Sequence, residues 1–205
     1  MCFSATASFA TSAVLGATGV ATLSKTKNRK AYLLSSIPLL FAIQQFIEGL
    51  IWVSINSWPS LTLPLTRIFL FFALFLWPIY IPMMILLIEP IKIRRIIISF
   101  FCAGGAIIGT MFFMNFLQQP EAASVLNHCI YYPDQVLRST LLNCIYVFIV
   151  VCSGLISSRP IIKILSLLVF ASSIITYVFY VTNFTSVWCF FAAIISLILF
   201  FNPQK

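Results

Sequence analysis

Glu48 is the residue with the most chemistry to offer, because it stands inside a long apolar run. A charge at the centre of such a run costs roughly 2.5–3.5 kcal/mol on insertion scales. Gln44, Glu48 and Trp52 recur at i, i+4 and i+8, and Gln45 precedes Glu48 by three residues. A helix gathers all four on one stripe, which must face protein or water. Two uses of the stripe are open. One is a buried ion pair with Arg67, which stands one turn into the next apolar run at a related depth. The other makes Glu48 a general base or a ligand in a cavity.

His128 is the only histidine, in the segment Asn127-His128-Cys129-Ile130-Tyr131-Tyr132-Pro133-Asp134. One histidine cannot build a three-histidine zinc site or a bis-histidine haem. It can supply one ligand or one general base, or it can rest as a loop residue bonded to Asp134 or to backbone. Of six cysteines, Cys102, Cys144 and Cys152 fall within apolar runs and suit packing. Cys2, Cys129 and Cys189 fall near the ends of runs. Cys2 and Cys189 could form a disulfide, ligate a metal or act as reactive thiols, and Cys2 becomes an N-terminal nucleophile if Met1 is removed. Two thiolates, an imidazole and a carboxylate (Cys2, Cys189, His128 and Glu48) would suit zinc. The same set would serve a redox thiol mechanism.

These residues need elements to position them, and the composition says which. The chain has 205 residues, of which 61% are hydrophobic and only 8% charged, with a mean hydropathy of +1.09. A water-facing surface needs roughly a quarter charged residues, so a soluble domain is excluded and lipid is the expected surroundings. One span takes about 20 apolar residues. The runs predict an all-α bundle of seven transmembrane helices in one domain, at about 4–23, 31–55, 64–88, 96–117, 139–156, 161–181 and 185–201. Asn56 to Leu63 reads as a turn, Gln118 to Arg138 as the longest polar connection, and Glu89-Pro90 as a helix end. Gly105 and Gly109 have the small-xxx-small spacing that lets helices approach closely. No internal repeat supports an inverted-repeat transporter.

The net charge of +8 would otherwise raise nucleic acid as a partner, but the positions of the charges give topology instead. Lys25, Lys27, Arg29, Lys30, Lys92, Arg94, Arg95, Arg159, Lys163 and Lys205 fall on alternate connections and the tail. The positive-inside rule then places the N-terminus outside and the C-terminus inside, in a bacterial cytoplasmic membrane. Glu89 is expected to be neutralised by Lys92 and Arg94, and Arg94-Arg95 to meet anionic lipid headgroups. Closing seven helices in sequence order makes the first and last neighbours. Cys2, Glu48, His128 and Cys189 then converge on the outer face, at the mouth of a polar pocket.

The strings Met-Cys-Phe-Ser-Ala-Thr-Ala-Ser-Phe at 1–9, Pro-Leu-Leu-Phe-Ala-Ile-Gln-Gln at 38–45 and Phe-Leu-Phe-Phe-Ala-Leu at 69–74 carry a resemblance. So do Trp77-Pro78, Tyr132-Pro133-Asp134 and Ser-Val-Trp-Cys-Phe-Phe-Ala-Ala at 186–193. Over nearly its whole length the chain resembles an uncharacterised family of small bacterial multi-pass membrane proteins, to which no activity attaches. The resemblance implies that Cys2, Gln44, Gln45, Glu48, Trp52, His128, Asp134, Trp188 and Cys189 belong to the shared pattern, with Tyr132 in the same pocket. Cys129 departs from it, since serine is expected there, which favours Cys2 with Cys189. Retinal is excluded, because the last span holds no lysine before Lys205. Alkaline-ceramidase-like hydrolases share the seven-span plan but bind zinc through three histidines. The expected function is a metal- or thiol-dependent enzyme acting on a lipid or small molecule at an outward pocket. A small-solute transporter with Glu48 and Arg67 on the path, or a non-catalytic sensor or assembly protein, are the alternatives.

Overall fold

A computed structural model of the chain describes residues 4–118, 121–133 and 139–202. Seven helical segments run through them: α1 (Ala5–Lys25), α2 (Tyr32–Ser57), α3 (Pro59–Ile88), α4 (Lys92–Gln118), α5 (Thr140–Ile156), α6 (Pro160–Phe179) and α7 (Val181–Phe201). Six are long and apolar enough to cross a membrane, while α5 is shorter, at 17 residues. A two-stranded antiparallel hairpin, β1 (Ser124–Leu126) and β2 (Cys129–Tyr131), lies between α4 and α5.

Two segments differ from expectation. The turn at Asn56–Leu63 shrinks to Trp58 alone, and α3 begins at Pro59. Proline suits the first helical position, where its missing N–H has no partner to lose. The long polar connection is not a plain loop either. Asn127 and His128 both adopt positive φ, 51° and 59°, the conformation of a tight two-residue hairpin turn.

The basic end of the bundle is tied together by side chains. Lys25 Nζ lies 4.3 Å from the centre of the Phe200 ring, so α1 and α7 are neighbours there, as expected of the closed bundle. Arg159 Nε donates to the Ile88 carbonyl, and Arg94 Nη1 to the Ile156 carbonyl. These carbonyls end α3 and α5, where cationic donors are favoured. Glu89 does not take the basic partners expected for it. It is 3% exposed and accepts from Ser158 N at 2.7 Å, Ser157 Oγ at 3.0 Å and Ile91 N at 3.2 Å. The connection between α5 and α6 supplies donors that outcompete flexible lysine and arginine heads. Burial pushes the Glu89 carboxyl up, but these donors outweigh it and hold it below the usual range. Its stabilisation is therefore full above about pH 4.5 and is lost as the pH falls through the lowered native value. Glu89→Ala should cost about 1.5–3 kcal/mol at pH 7, and the gap from the parent should close in acid; a pH-independent gap in thermal unfolding would refute this.

Helix α3 lies at the centre, against α2, α4 and α5. Its middle turn, Phe71–Leu76, is a π-helix, and the Trp77 N–H reaches back to the Phe72 carbonyl. The next residue, Pro78, has no N–H. The Ala73 carbonyl therefore loses its ordinary partner to the wide turn and its alternative partner to the proline. Tyr146 of α5 donates its hydroxyl to this carbonyl at 2.8 Å, satisfying a buried acceptor from a neighbouring helix. Tyr146→Phe should cost about 1–3 kcal/mol for the acceptor left dry, read as a lowered unfolding midpoint in detergent; an unchanged midpoint would show that water or another donor replaces the hydroxyl.

One turn on, the Pro78 carbonyl meets the same difficulty, because Pro82 cannot donate to it. Gly105 of α4 sits directly on this oxygen: a Cβ at position 105 would stand 1.9 Å from it. Gly109 lies one turn along, 3.2 Å from the Phe75 carbonyl by the same construction. The small-residue pair thus seats α4 on the π-turn and prolines of α3, as the spacing implies.

Candidate functional site

The stripe on α2 is buried inside the bundle. Gln44, Gln45 and Glu48 are all 0% exposed. Phe9 of α1 packs against Gly49, where a Cβ would come within 2.6 Å of its ring, so α1 closes one side. Ser12 Oγ donates to the Ala42 carbonyl at 2.8 Å and fixes the register of α1 on α2.

Glu48 is held by neutral partners. Ser186 Oγ donates to Glu48 Oε1 at 2.5 Å, and Gln45 Nε2 donates to Oε2 at 3.1 Å. The Tyr132 hydroxyl is turned toward the same carboxyl. Ser186 lies in the first α-helical turn of α7, after Asn183, and a helix N-terminus favours a carboxylate. The Tyr132 ring stacks on Phe69 of α3, centroids 4.6 Å apart and planes 5° from parallel. The segment after the hairpin therefore roofs the carboxyl. Asn183 secures that roof by donating from Nδ2 to the Leu126 and Ile130 carbonyls, each at 3.2 Å.

Gln44, one turn before Glu48, bonds to α3. Its Oε1 accepts from Trp77 Nε1 at 2.7 Å, so the π-turn aims an indole at the stripe. Its Nε2 has no hydrogen-bond partner and faces the Cys189 sulfur. Gln45 Oε1, Trp52 Nε1 and, on α1, Ser8 Oγ are likewise buried without a partner. Each such group costs about 1–3 kcal/mol. Donors (Gln44, Trp52) and an acceptor (Gln45) thus stand idle on the same face of α2 as Glu48.

The predicted ion pair is replaced. Glu48 bonds Ser186 and Gln45, whereas Arg67 Nη2 donates to the Leu117 carbonyl at 3.4 Å. The helices do place Glu48 and Arg67 toward the same end, but the carbonyls ending α4 attract the guanidinium. His128 stands exposed at the hairpin tip, apart from the enclosed carboxyl. The hairpin end of the stripe is therefore roofed, and the lone imidazole lies on the roof. Cys189 is buried and carries a free thiol. Cys2 and Asp134 lie outside the described residues. Among the described residues no three His, Cys, Asp or Glu side chains gather as metal ligands do. Trp188 donates from Nε1 to the Val169 carbonyl at 3.2 Å and packs edge-on to Tyr146, so it binds α6 to α7. Cys129 is buried against Val187 and Phe190.

Ser186 and Trp77 were not among the site residues expected from sequence. The Trp77-Pro78 pair and the i, i+3 spacing of Ser186 and Cys189 were the available signals. Two cavities flank the site. One of about 750 Å³ lies between α5 and α6 and has Tyr132 in its wall. The other, about 100 Å³, has Trp77 and Cys189 in its wall and is otherwise lined largely by apolar groups such as Phe41, Met84 and Leu199.

Apolar helices of this number and length, closed around a polar stripe, define a multi-pass membrane protein. The chain belongs to a family of unknown function, DUF6629, whose model matches residues 1–205. No curated protein and no solved structure matches it.

Proposed function

We propose that the chain crosses a bacterial cytoplasmic membrane seven times, N-terminus outside, and binds a small ligand at Glu48 in the outer half of the bundle. The basic ends of α1, α3 and α5 are cytosolic on this reading. The observation that carries it is the set of buried polar atoms without a partner on the stripe that holds the carboxyl, namely Gln44 Nε2, Trp52 Nε1 and Gln45 Oε1. Buried polar groups are normally satisfied; these become so when a ligand with both donors and acceptors occupies the site. Among the described residues the carboxyl is bonded by hydroxyl and amide groups, and a buried carboxylate is stabilised by a positive charge placed beside it. The complementary ligand carries an amine or another cationic donor group. Glu48 is then the group that receives a proton or fixes a positive charge, and Ser186 orients it.

A one-sided site is favoured over a permeation path. Beyond Trp77 the cavity toward the basic end is lined mostly by apolar side chains, so the polar stripe does not continue through the bundle. The direct test is titration of purified protein with ethanolamine, read by thermal unfolding. A ligand at a hundredfold excess over its Kd stabilises by about 2.7 kcal/mol. The parent should respond and Glu48→Gln should not; an equal response, or none in either, rejects the proposal.

A further inference from the structure

The cavity of about 750 Å³ between α5 and α6 takes no part in the account so far. Its shape follows from how the two helices meet. Near the basic end they touch, and a Cβ on Gly154 would stand 1.8 Å from Ser166 Oγ. Toward the hairpin end they leave a cleft lined by Phe148 and Val151 on one side and Phe170 and Ile174 on the other. At the hairpin end the lining turns polar, with Thr140, Asn143, Thr182, Asn183 and Thr185. From Thr140 to Leu155 the cleft runs about 22 Å at about 1.5 Å per helical residue. One leaflet of hydrocarbon is about 15 Å deep. The cleft is thus apolar over the depth of an acyl chain and polar where a headgroup begins. Among the described residues that line it none is charged. Contact at Gly154 and Ser166 closes the cleft at its basic end.

We infer that this cleft holds the acyl chain of an outer-leaflet lipid and brings its polar head to the Glu48 site. The second half rests on the ligand reading given above. Two wall residues make the connection: Tyr132, whose ring stacks on Phe69 in the roof of the site, and Thr185, next to the Ser186 that donates to Glu48. A zwitterionic head with a terminal ammonium supplies a cationic group complementary to the Glu48 carboxyl.

The probe is 1-oleoyl lysophosphatidylethanolamine added to the full chain in detergent. Native mass spectrometry should find one bound molecule per chain, lost in Ser173→Trp, whose indole fills the cleft, and kept in Ile107→Trp, which lies on the exposed face of α4 outside the cleft. Cys144, an exposed thiol in the cleft wall, reports occupancy independently of that variant. Its alkylation by N-ethylmaleimide, followed by peptide mass, should slow at least tenfold with the lipid, while Cys102 outside the cleft keeps its rate. Multiple adducts indifferent to Ser173→Trp, or unchanged Cys144 alkylation, would overturn the inference. The ethanolamine titration separates the two claims: a protected Cys144 with no amine response removes the headgroup half alone.

Discussion

Gly105→Ala should lower the unfolding midpoint in detergent by about 2–12 °C, while the neighbouring Gly104→Ala leaves it unchanged or raised. The two glycines share a helix turn and differ in what a methyl group would meet. At 105 the obstacle is a backbone oxygen, Pro78 O, at 1.9 Å, and backbone cannot rotate aside. Either α4 moves off α3 or the π-turn region shifts. Overpacking costs about 1–3 kcal/mol and sometimes more, and about 2–4 °C accompanies each kcal/mol in a chain of this size. At 104 the nearest atom is Ile149 Cδ1, at 3.4 Å, the end of a flexible side chain. There alanine contributes its better helix propensity, about 1 kcal/mol. Equal behaviour of the two variants would mean that Gly105 does not seat α4 on the prolines of α3.

The second large effect falls on binding rather than stability. Glu48→Gln keeps the shape of the side chain and can still accept from Ser186, so its midpoint should stay within about 3 °C of the parent. Affinity for ethanolamine should fall at least tenfold, since a hydrogen bond to a charged group contributes about 1.5–3 kcal/mol and a factor of ten is about 1.4 kcal/mol. Ser186→Ala should show a smaller loss, because Gln45 and Tyr132 still orient the carboxyl. The pattern separates ligand binding from an architectural role. Were Glu48 a register-fixing partner of Arg67, the glutamine variant would instead fail to accumulate in the membrane.

The helices could be read from the sequence because lipid imposes a simple rule. Apolar runs of about 20 residues, with basic residues such as Lys25, Lys92 and Arg159 at alternate ends, mark spans without knowledge of any contact. The stripe Gln44, Gln45, Glu48 and Trp52 was legible for the same reason, since polar residues stand out against an apolar helix. What the stripe bonds to was not legible. Ser186 and Tyr132 reach Glu48 only through the packing of α7 and the placement of the hairpin, and neither is a property of local spacing. The hairpin escaped because its turn depends on Asn127 and His128 taking positive φ, which composition does not announce. His128 looked like a ligand because it is alone and near the outer connection, yet a two-residue turn points its tip to solvent. The π-turn was foreshadowed by Trp77-Pro78, but the donor that compensates it, Tyr146, lies 73 residues from Ala73. Orphaned carbonyls and their remote partners are tertiary facts.

The most direct measurement is an electron cryo-microscopy or crystallographic map of the protein taken from its native membrane, at a resolution that shows ordered small molecules. The expected result is non-protein density larger than a water beside Glu48, within hydrogen-bonding distance of the carboxyl and of at least one of Gln44 Nε2, Trp52 Nε1 and Gln45 Oε1. A map in which those three atoms bond one another or the protein, with nothing between them and the carboxyl, would contradict it.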